Sequence, residues 1–282
     1  MKKANLVIAL ALGSALALSA CGTDDSGQTG ATKQTGQARE LVTLTIGASP
    51  TPHGEILRFV AKNLATEAGL KLEIEEFGDY VLPNKGLDDG SLDANYFQHL
   101  PYLESQVAEF GYDFHPFEGV HIEPLGVYSD KHQNLDNIPQ GAKIGVSNDP
   151  ANQARALRLL ETAKVFTLKD TGDKDPTIAD LADNPHGVEL TQLDPQLLPK
   201  SLQDFDFAVI NGNFAIDAGI NPANDNLKLE HGEDNPYANM LVVRTADKDR
   251  PELVKLDQLL HSDEVRKFIE TKWTDGAVIP AF

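Results

Sequence analysis

Residues 41–77, "LVTLTIGASPTPHGEILRFVAKNLATEAGLKLEIEEF", carry two periods of hydrophobicity in one short stretch. Val42, Leu44 and Ile46 alternate with threonines, the period of a half-buried strand. Ile56, Leu57, Val60, Ala61 and Leu64 then recur at helical spacing, and Gly69 is placed to stop that helix. "LKLEIEEF" alternates again. Strand, helix, strand without a tight hairpin is a β-α-β unit, and such a unit demands a parallel sheet covered by helices.

Working outward, the pattern recurs after residue 141. "AKIGVS" reads as a short strand, and in "NDPANQARALRLLETA" Asn148 or Asp149 is placed to cap a helix with Pro150 in its first turn. "GVELTQL" and "DFAVIN" read as further strands, separated by a helix around Pro195 to Gln203. The expected fold class is therefore α/β with two lobes: 41–128 as the first part of lobe 1, 129–238 as lobe 2, and 239–282 returning to lobe 1. The extended segments "IEPLGVYSDK" (122–131) and "NPYANMLVVR" (235–244) have no helical period. If both cross between lobes, the first lobe is built from both ends of the chain around a hinge.

At the other end, "MKKANLVIALALGSALALSAC" has two lysines, an apolar run from Leu6 to Leu18 and small residues before Cys21. Such a run is shorter than the roughly 20 apolar residues of a membrane span, so residues 1–20 read as a cleavable export signal. Residues 21–40, rich in Gly, Thr, Ser and Gln, cannot bury themselves and read as a flexible tether.

The chain has 282 residues and a formal charge of −19. That acidity argues against nucleic acid or an anionic lipid surface as partner. A single cysteine at position 21 leaves no thiol pair for a disulfide and no thiolate cluster for a metal. No cofactor is implied.

Three stretches can carry chemistry. In "FGDYVLPNKGLDDGSLDANYFQHLPYL" (77–103) a strand ends where Gly78 and Pro83 break regular structure, and ligands of α/β proteins sit at such strand ends. Phe97 and His99, two apart on an extended segment, share a face, and Tyr96 points away. With Tyr80 they would line one pocket wall; ordinary core packing would demand the same residues. In "SNDPANQARAL" a helix N-terminus and Arg155 one turn inside form a credible carboxylate clamp, and the spacing equally fits a surface pair of Arg155 with Glu161 or a loop aspartate. Asn211 and Asn239 offer donors and acceptors suited to an amino acid, and as turn-formers they need no function.

These stretches resemble the methionine-binding lipoprotein (NlpA) family, the receptor component of methionine ABC importers. The matching motifs are "DYVLPNKGLDDGSLDANYFQHLPYL", "NDPANQARALRLL", "LPKSLQDFDFAVINGNFA" and "NPYANMLVVR". "LSAC" agrees independently, being similar to a lipobox whose cysteine is acylated. The resemblance implies a two-lobed periplasmic-binding-protein-like fold with two hinge-crossing segments. It implies that Cys21 carries the lipid anchor outside the cell membrane, and that the partners are methionine, an ABC permease and its ATPase. Tyr80, Phe97 and His99 would surround the thioether chain, Arg155 would bind the carboxylate, and Asn211 and Asn239 the α-amino and carboxylate groups; Asn152 and Tyr237 would lie at the seam between lobes. Ser147, Ala151 and Phe214 depart from the residues frequent in relatives, which leaves L-methionine, D-methionine and a methionine dipeptide open.

Other classes have less behind them. An enzyme would need a nucleophile with its base or a phosphate-cradling loop, and there is no GxSxG, GxGxxG or Walker motif. A metal receptor would draw on the eight histidines, but no pair stands at HxH or HxxxH spacing. An adhesion lipoprotein is the third alternative.

Overall fold

The computed structural model describes residues 40–232 and 235–282. The export signal, Cys21 and all of the tether but Glu40 lie outside the described residues. β1 (Val42–Ala48) leads through a turn into α1 (Glu55–Val60), which continues as a wider turn over Ala61–Ala65. β2 (Leu70–Glu76) then pairs parallel with β1 in unbroken register, Val42 against Leu70 and Ala48 against Glu76. Gly69 stops the helix at φ +81°, a conformation that disfavours any Cβ. Ile56, Leu57 and Val60 are buried as the spacing predicts, but Ala61 and Leu64 are only half-buried. The widened turn changes the angular phase, and Ala65 takes the buried position.

The chain continues through α2 (Leu82–Asp88), β3 (Ala94–His99), α3 (Leu100–Phe110) and β4 (Phe114–Ile122). It then enters β5 (Gly126–Tyr128), β6 (Lys143–Ser147) and α4 (Pro150–Thr162). A small antiparallel ribbon of β7 (Thr167–Leu168) and β8 (Leu181–Asp183) precedes β9 (Glu189–Leu193), β10 (Phe207–Ile210), α5 (Gly212–Asp217) and β11 (Lys228–Leu229). The last elements are β12 (Asn239–Arg244), α6 (Pro251–Leu260), α7 (Asp263–Lys272) and β13 (Ile279–Pro280).

Two main sheets result. The first has the order β13-β4-β12-β3-β1-β2 and the second β11-β5-β10-β6-β9. The parallel pairs β1/β2, β1/β3, β6/β9 and β6/β10 form the centre of each lobe, and antiparallel strands extend one side of it. Leu44, Ile46, Val60 and Leu70 share the first core with Leu253, Leu256, Val265 and Ile269 of α6 and α7, so the C-terminal helices close the N-terminal lobe. Ile144, Val146, Leu157, Leu160, Phe207 and Val209 make the second core. None of the described helices is long and apolar enough to cross a membrane.

Two expectations need correction. Gly126–Tyr128 does not belong to the first lobe: its strand pairs antiparallel with β10, so the first crossing is confined to residues 123–125. The second lies between β11 and β12. Where a helix was expected around Pro195 to Gln203, two short 3-10 turns stand instead, Pro195–Leu197 and Pro199–Asp204. Each begins at a proline, which supplies no backbone N–H and opposes a continuous α ladder through the second of them.

Candidate ligand pocket

The carboxyl ends of four strands converge on one cavity. Tyr80 follows β2, Phe97 and His99 end β3, Asn152 and Arg155 lie on the helix after β6, and Asn211 and Asn213 follow β10. Counting the open space at its mouth the cavity holds about 320 Å³. Asn239, the first residue of β12, lines it as well. The six principal residues expected from sequence are therefore brought together around a single space.

β3 sorts its side chains as alternation requires. Phe97 joins an apolar cluster with Tyr80, Tyr102 and Phe214, while Tyr96 packs into the first lobe's core. Tyr80 is the hinge of the aromatic wall: its ring centroid lies 4.8 Å from Phe214, 5.7 Å from Tyr102 and 5.9 Å from Phe97. Its hydroxyl donates to Asn213 Oδ1 at 2.5 Å, joining the first lobe to the second. His99 caps α3, its Nδ1 accepting from the Tyr102 N–H at 3.2 Å. Its Nε2 consequently carries the proton and reaches Asn152 Oδ1 at 3.2 Å across the cleft. Burial first, and the Arg155 charge second, push the His99 pKa down to about 3, so the ring is neutral.

Arg155 is only 3% exposed. Of the two partners weighed for it, neither is used; Glu161 instead accepts from the Leu168 N–H. Glu230 takes its Nε and Nη2 at 2.9 and 2.6 Å, and the Glu123 carbonyl accepts from Nη2 at 3.0 Å. The guanidinium lies 4.1 Å over the Tyr237 ring, which also meets His99 edge-on at 5.0 Å. Nη1 has no hydrogen-bond partner among the described residues. The helix end expected to help bind an anion is already occupied: the Asp149 carboxylate accepts from the Asn152 N–H at 2.8 Å. Of the two groups expected to form a clamp, Arg155 alone is left to line the cavity with an unbonded donor.

Behind the polar wall lies a buried network that sequence spacing concealed. His121 Nε2 stands 2.8 Å from Glu123 Oε1, His53 Nε2 stands 3.4 Å from the same oxygen and 3.0 Å from Asn239 Oδ1, and the Tyr96 hydroxyl bonds His121 Nδ1. Burial lowers His53 to about 4 and His121 to about 3. Burial pushes the Glu123 carboxyl up, against the opposing pull of His53, Arg155 and the Asn213 N–H. Gly212 allows α5 to start against this carboxylate, since a Cβ there would lie 2.7 Å from the Glu123 Cβ. The ligating atoms of His53, His121 and Glu123 lie within 4.8 Å of one another, near enough for a cation to bridge them. His121, Glu123 and His53 Nε2 are joined by mutual hydrogen bonds, and His53 Nδ1 is buried without a hydrogen-bond partner among the described residues. Tyr102, Glu123, Asn213 and Glu230 were missed from sequence. Only Glu123 had a signal, its place in a crossing segment.

A family profile described as NlpA lipoprotein matches residues 44–282. The chain is 37% identical over 267 residues to the methionine-binding lipoprotein MetQ of Bacillus subtilis (strain 168), covering 93% of each. It is 38% identical over 226 residues to the D-methionine-binding lipoprotein MetQ of Escherichia coli (strain K12), covering 79% of this chain and 82% of that one. A nutrient binding protein from Burkholderia cenocepacia, solved bound to methionine, superposes with a TM-score of 0.81 at 42% identity, covering 85% of this chain and 100% of that one. With the profile spanning nearly all the described chain and two lobes closing on one pocket, the protein belongs to the NlpA lipoprotein family.

Proposed function

We propose that this protein is an extracytoplasmic receptor, anchored by a lipid on Cys21, that captures methionine and delivers it to the permease and ATPase of an ABC importer without catalysing a reaction itself. The observation that carries this reading is the meeting of a buried guanidinium and an aromatic wall on one cavity. Tyr80, Phe97 and His99 surround the thioether chain, where sulfur against the rings adds to burial. Arg155 binds the carboxylate, and Asn211 and Asn239 hold the polar end; Asn152 and Tyr237 brace the seam.

Magnitudes favour enclosure. Methionine has about nine heavy atoms, and with a ceiling of about −1.5 kcal/mol per atom for very small ligands, nanomolar affinity near −12 kcal/mol requires almost every atom to be engaged. Side chains from both lobes already touch here, through Tyr80 to Asn213 and His99 to Asn152, so a ligand in this space is surrounded. The relatives' names supply methionine, without a stated hand, and D-methionine as candidates. Calorimetric titration with L-methionine, D-methionine and Gly-Met tests the reading: saturable binding of at least one is expected, and no binding of any of the three overturns it.

A further inference from the structure

Behind the pocket's polar wall, side chains from separate parts of the chain converge on one buried point. His53 lies in the turn after β1, His121 near the end of β4, and Glu123 opens the first crossing between the lobes. All three are buried. Asn239, the first residue of β12, stands beside them.

The spacing suits a metal ion. Zinc holds imidazole nitrogen and carboxylate oxygen at about 2.0 to 2.1 Å, and a tetrahedron of that size has edges of about 3.3 Å. Here His121 Nε2 is 2.8 Å and His53 Nε2 3.4 Å from Glu123 Oε1, and Asn239 Oδ1 is 3.0 Å from His53 Nε2. One ligand atom from each of His53, His121 and Glu123 fits within 4.8 Å of the others.

Hydrogen bonding by itself leaves this cluster unbalanced. An imidazole nitrogen carries at most one proton, so His53 Nε2 meets two oxygens with a single donor at best, and its Nδ1 is buried without a partner among the described residues. A cation between the four atoms meets a lone pair from each, whichever ring nitrogens carry the protons in its absence. The outer partners are in place as well. A ligating imidazole keeps its proton on the far nitrogen, and a ligating carboxylate is itself hydrogen-bonded. The Tyr96 hydroxyl already bonds His121 Nδ1, and the Asn213 N–H already meets the Glu123 carboxyl.

Charge and access agree. Arg155 bonds the Glu123 carbonyl, but its own charge is met by Glu230 at 2.6 Å, which offsets its repulsion of a cation. Glu123 and Asn239 line the cavity, so the cluster opens to the ligand space. Two imidazoles exclude calcium and magnesium, which take oxygen ligands, and suit zinc and its neighbours in the first transition row.

We propose that His53, His121 and Glu123, with Asn239 as fourth ligand, form a site for a resident divalent transition-metal ion of the zinc class at the root of the first crossing. The ion is not cargo: it fastens the turn after β1 and the end of β4 to the segment that leads into the second lobe. The inference stands apart from the methionine reading.

Zinc chloride alone, titrated calorimetrically into the intact, chelator-treated protein without a histidine tag, tests this. One equivalent per chain is expected to bind in the micromolar range or tighter. Loss of an outer partner of a metal site costs about 10- to 100-fold in affinity, so Tyr96→Phe should weaken zinc by about 10-fold, and His121→Gln and Glu123→Gln, which remove ligands, by more than about 100-fold each. Cobalt(II) added to the unmodified protein gives a readout that does not depend on how the variants fold: the intense visible absorption of a four-coordinate site is expected, and the weak spectrum of a six-coordinate ion overturns the proposal. So does an absence of zinc binding, or full zinc affinity in both ligand variants, which would put the ion on other histidines. Failure here leaves the methionine reading untouched, because no methionine is present in these titrations.

Discussion

The two walls of the pocket are built on different principles. The first lobe contributes rings: Tyr80, Phe97 and Tyr102 form an apolar surface continuous with Phe214 of the second lobe. The second lobe contributes directed polar atoms: Asn152, Arg155 and Asn211, each already bonded to a neighbour that sets its orientation. Apolar contact is non-directional and scales with area, so the ring wall can accept any thioether-sized chain. Hydrogen bonds and charges are directional, and in a dry site an unmet one costs the full desolvation of the group left behind. On the proposed reading one wall would supply most of the attraction and the other most of the selectivity.

That division can be broken from either side. The largest effect is expected from Arg155→Ala, which strands both the ligand carboxylate and Glu230 without their cation; removal of one partner from a buried pair costs about 3 to 5 kcal/mol, enough to abolish methionine binding by calorimetry. Unchanged affinity would refute the clamp. Phe97→Ala attacks the other wall. It should lower folding stability by about 3 kcal/mol, the low end for a buried Phe→Ala change because the ring borders a cavity, and weaken methionine more than it weakens a small polar amino acid; equal losses for the two ligands would count against a thioether wall.

Acidification tests the neutral histidines behind both walls. Their folded-state pKa values, about 4 for His53 and about 3 for His99 and His121, lie below the ordinary value near 6.5. The unfolded chain then binds more protons than the folded one between those limits, so stability is complete above about pH 6.5 and declines as pH falls toward 3 to 4. Between pH 7 and 6 the three histidines together should remove about 2 kcal/mol, visible as a lower denaturation midpoint. Glu123, whose carboxyl burial raises, works in the opposite sense and blunts the loss. A midpoint independent of pH over this range would show that these rings are not held neutral. The smallest effect should come from Tyr80→Phe, which deletes only the hydroxyl bond to Asn213 and leaves the ring: about 1 kcal/mol, or a several-fold weaker affinity. A loss as large as that of Arg155→Ala would make Tyr80 a polar recognition group and not a wall.

Legibility in the sequence followed the range of the interaction. The β-α-β unit at 41–77, the capped helix from Pro150 and the shared face of Phe97 and His99 all rest on neighbours within a few positions, and each was readable from period and capping chemistry. Where local rules failed, a longer-range partner had intervened: the strand Gly126–Tyr128 was claimed by β10. His53, His121 and Glu123 show no common spacing, and only the return of β4 beside the turn after β1 brings them together.

From residues alone, then, came the two-lobed α/β organisation and the candidate aromatic and cationic groups, since alternation, helical period and turn chemistry are local properties of a chain. The tertiary structure alone decided which acid neutralises Arg155, 75 positions away, and which side chains Asn152 and Asn211 bond. Those choices depend on hydrogen-bond partners from separate strands, and direction in a hydrogen-bond network is set by its fixed acceptors, whose positions no spacing rule encodes.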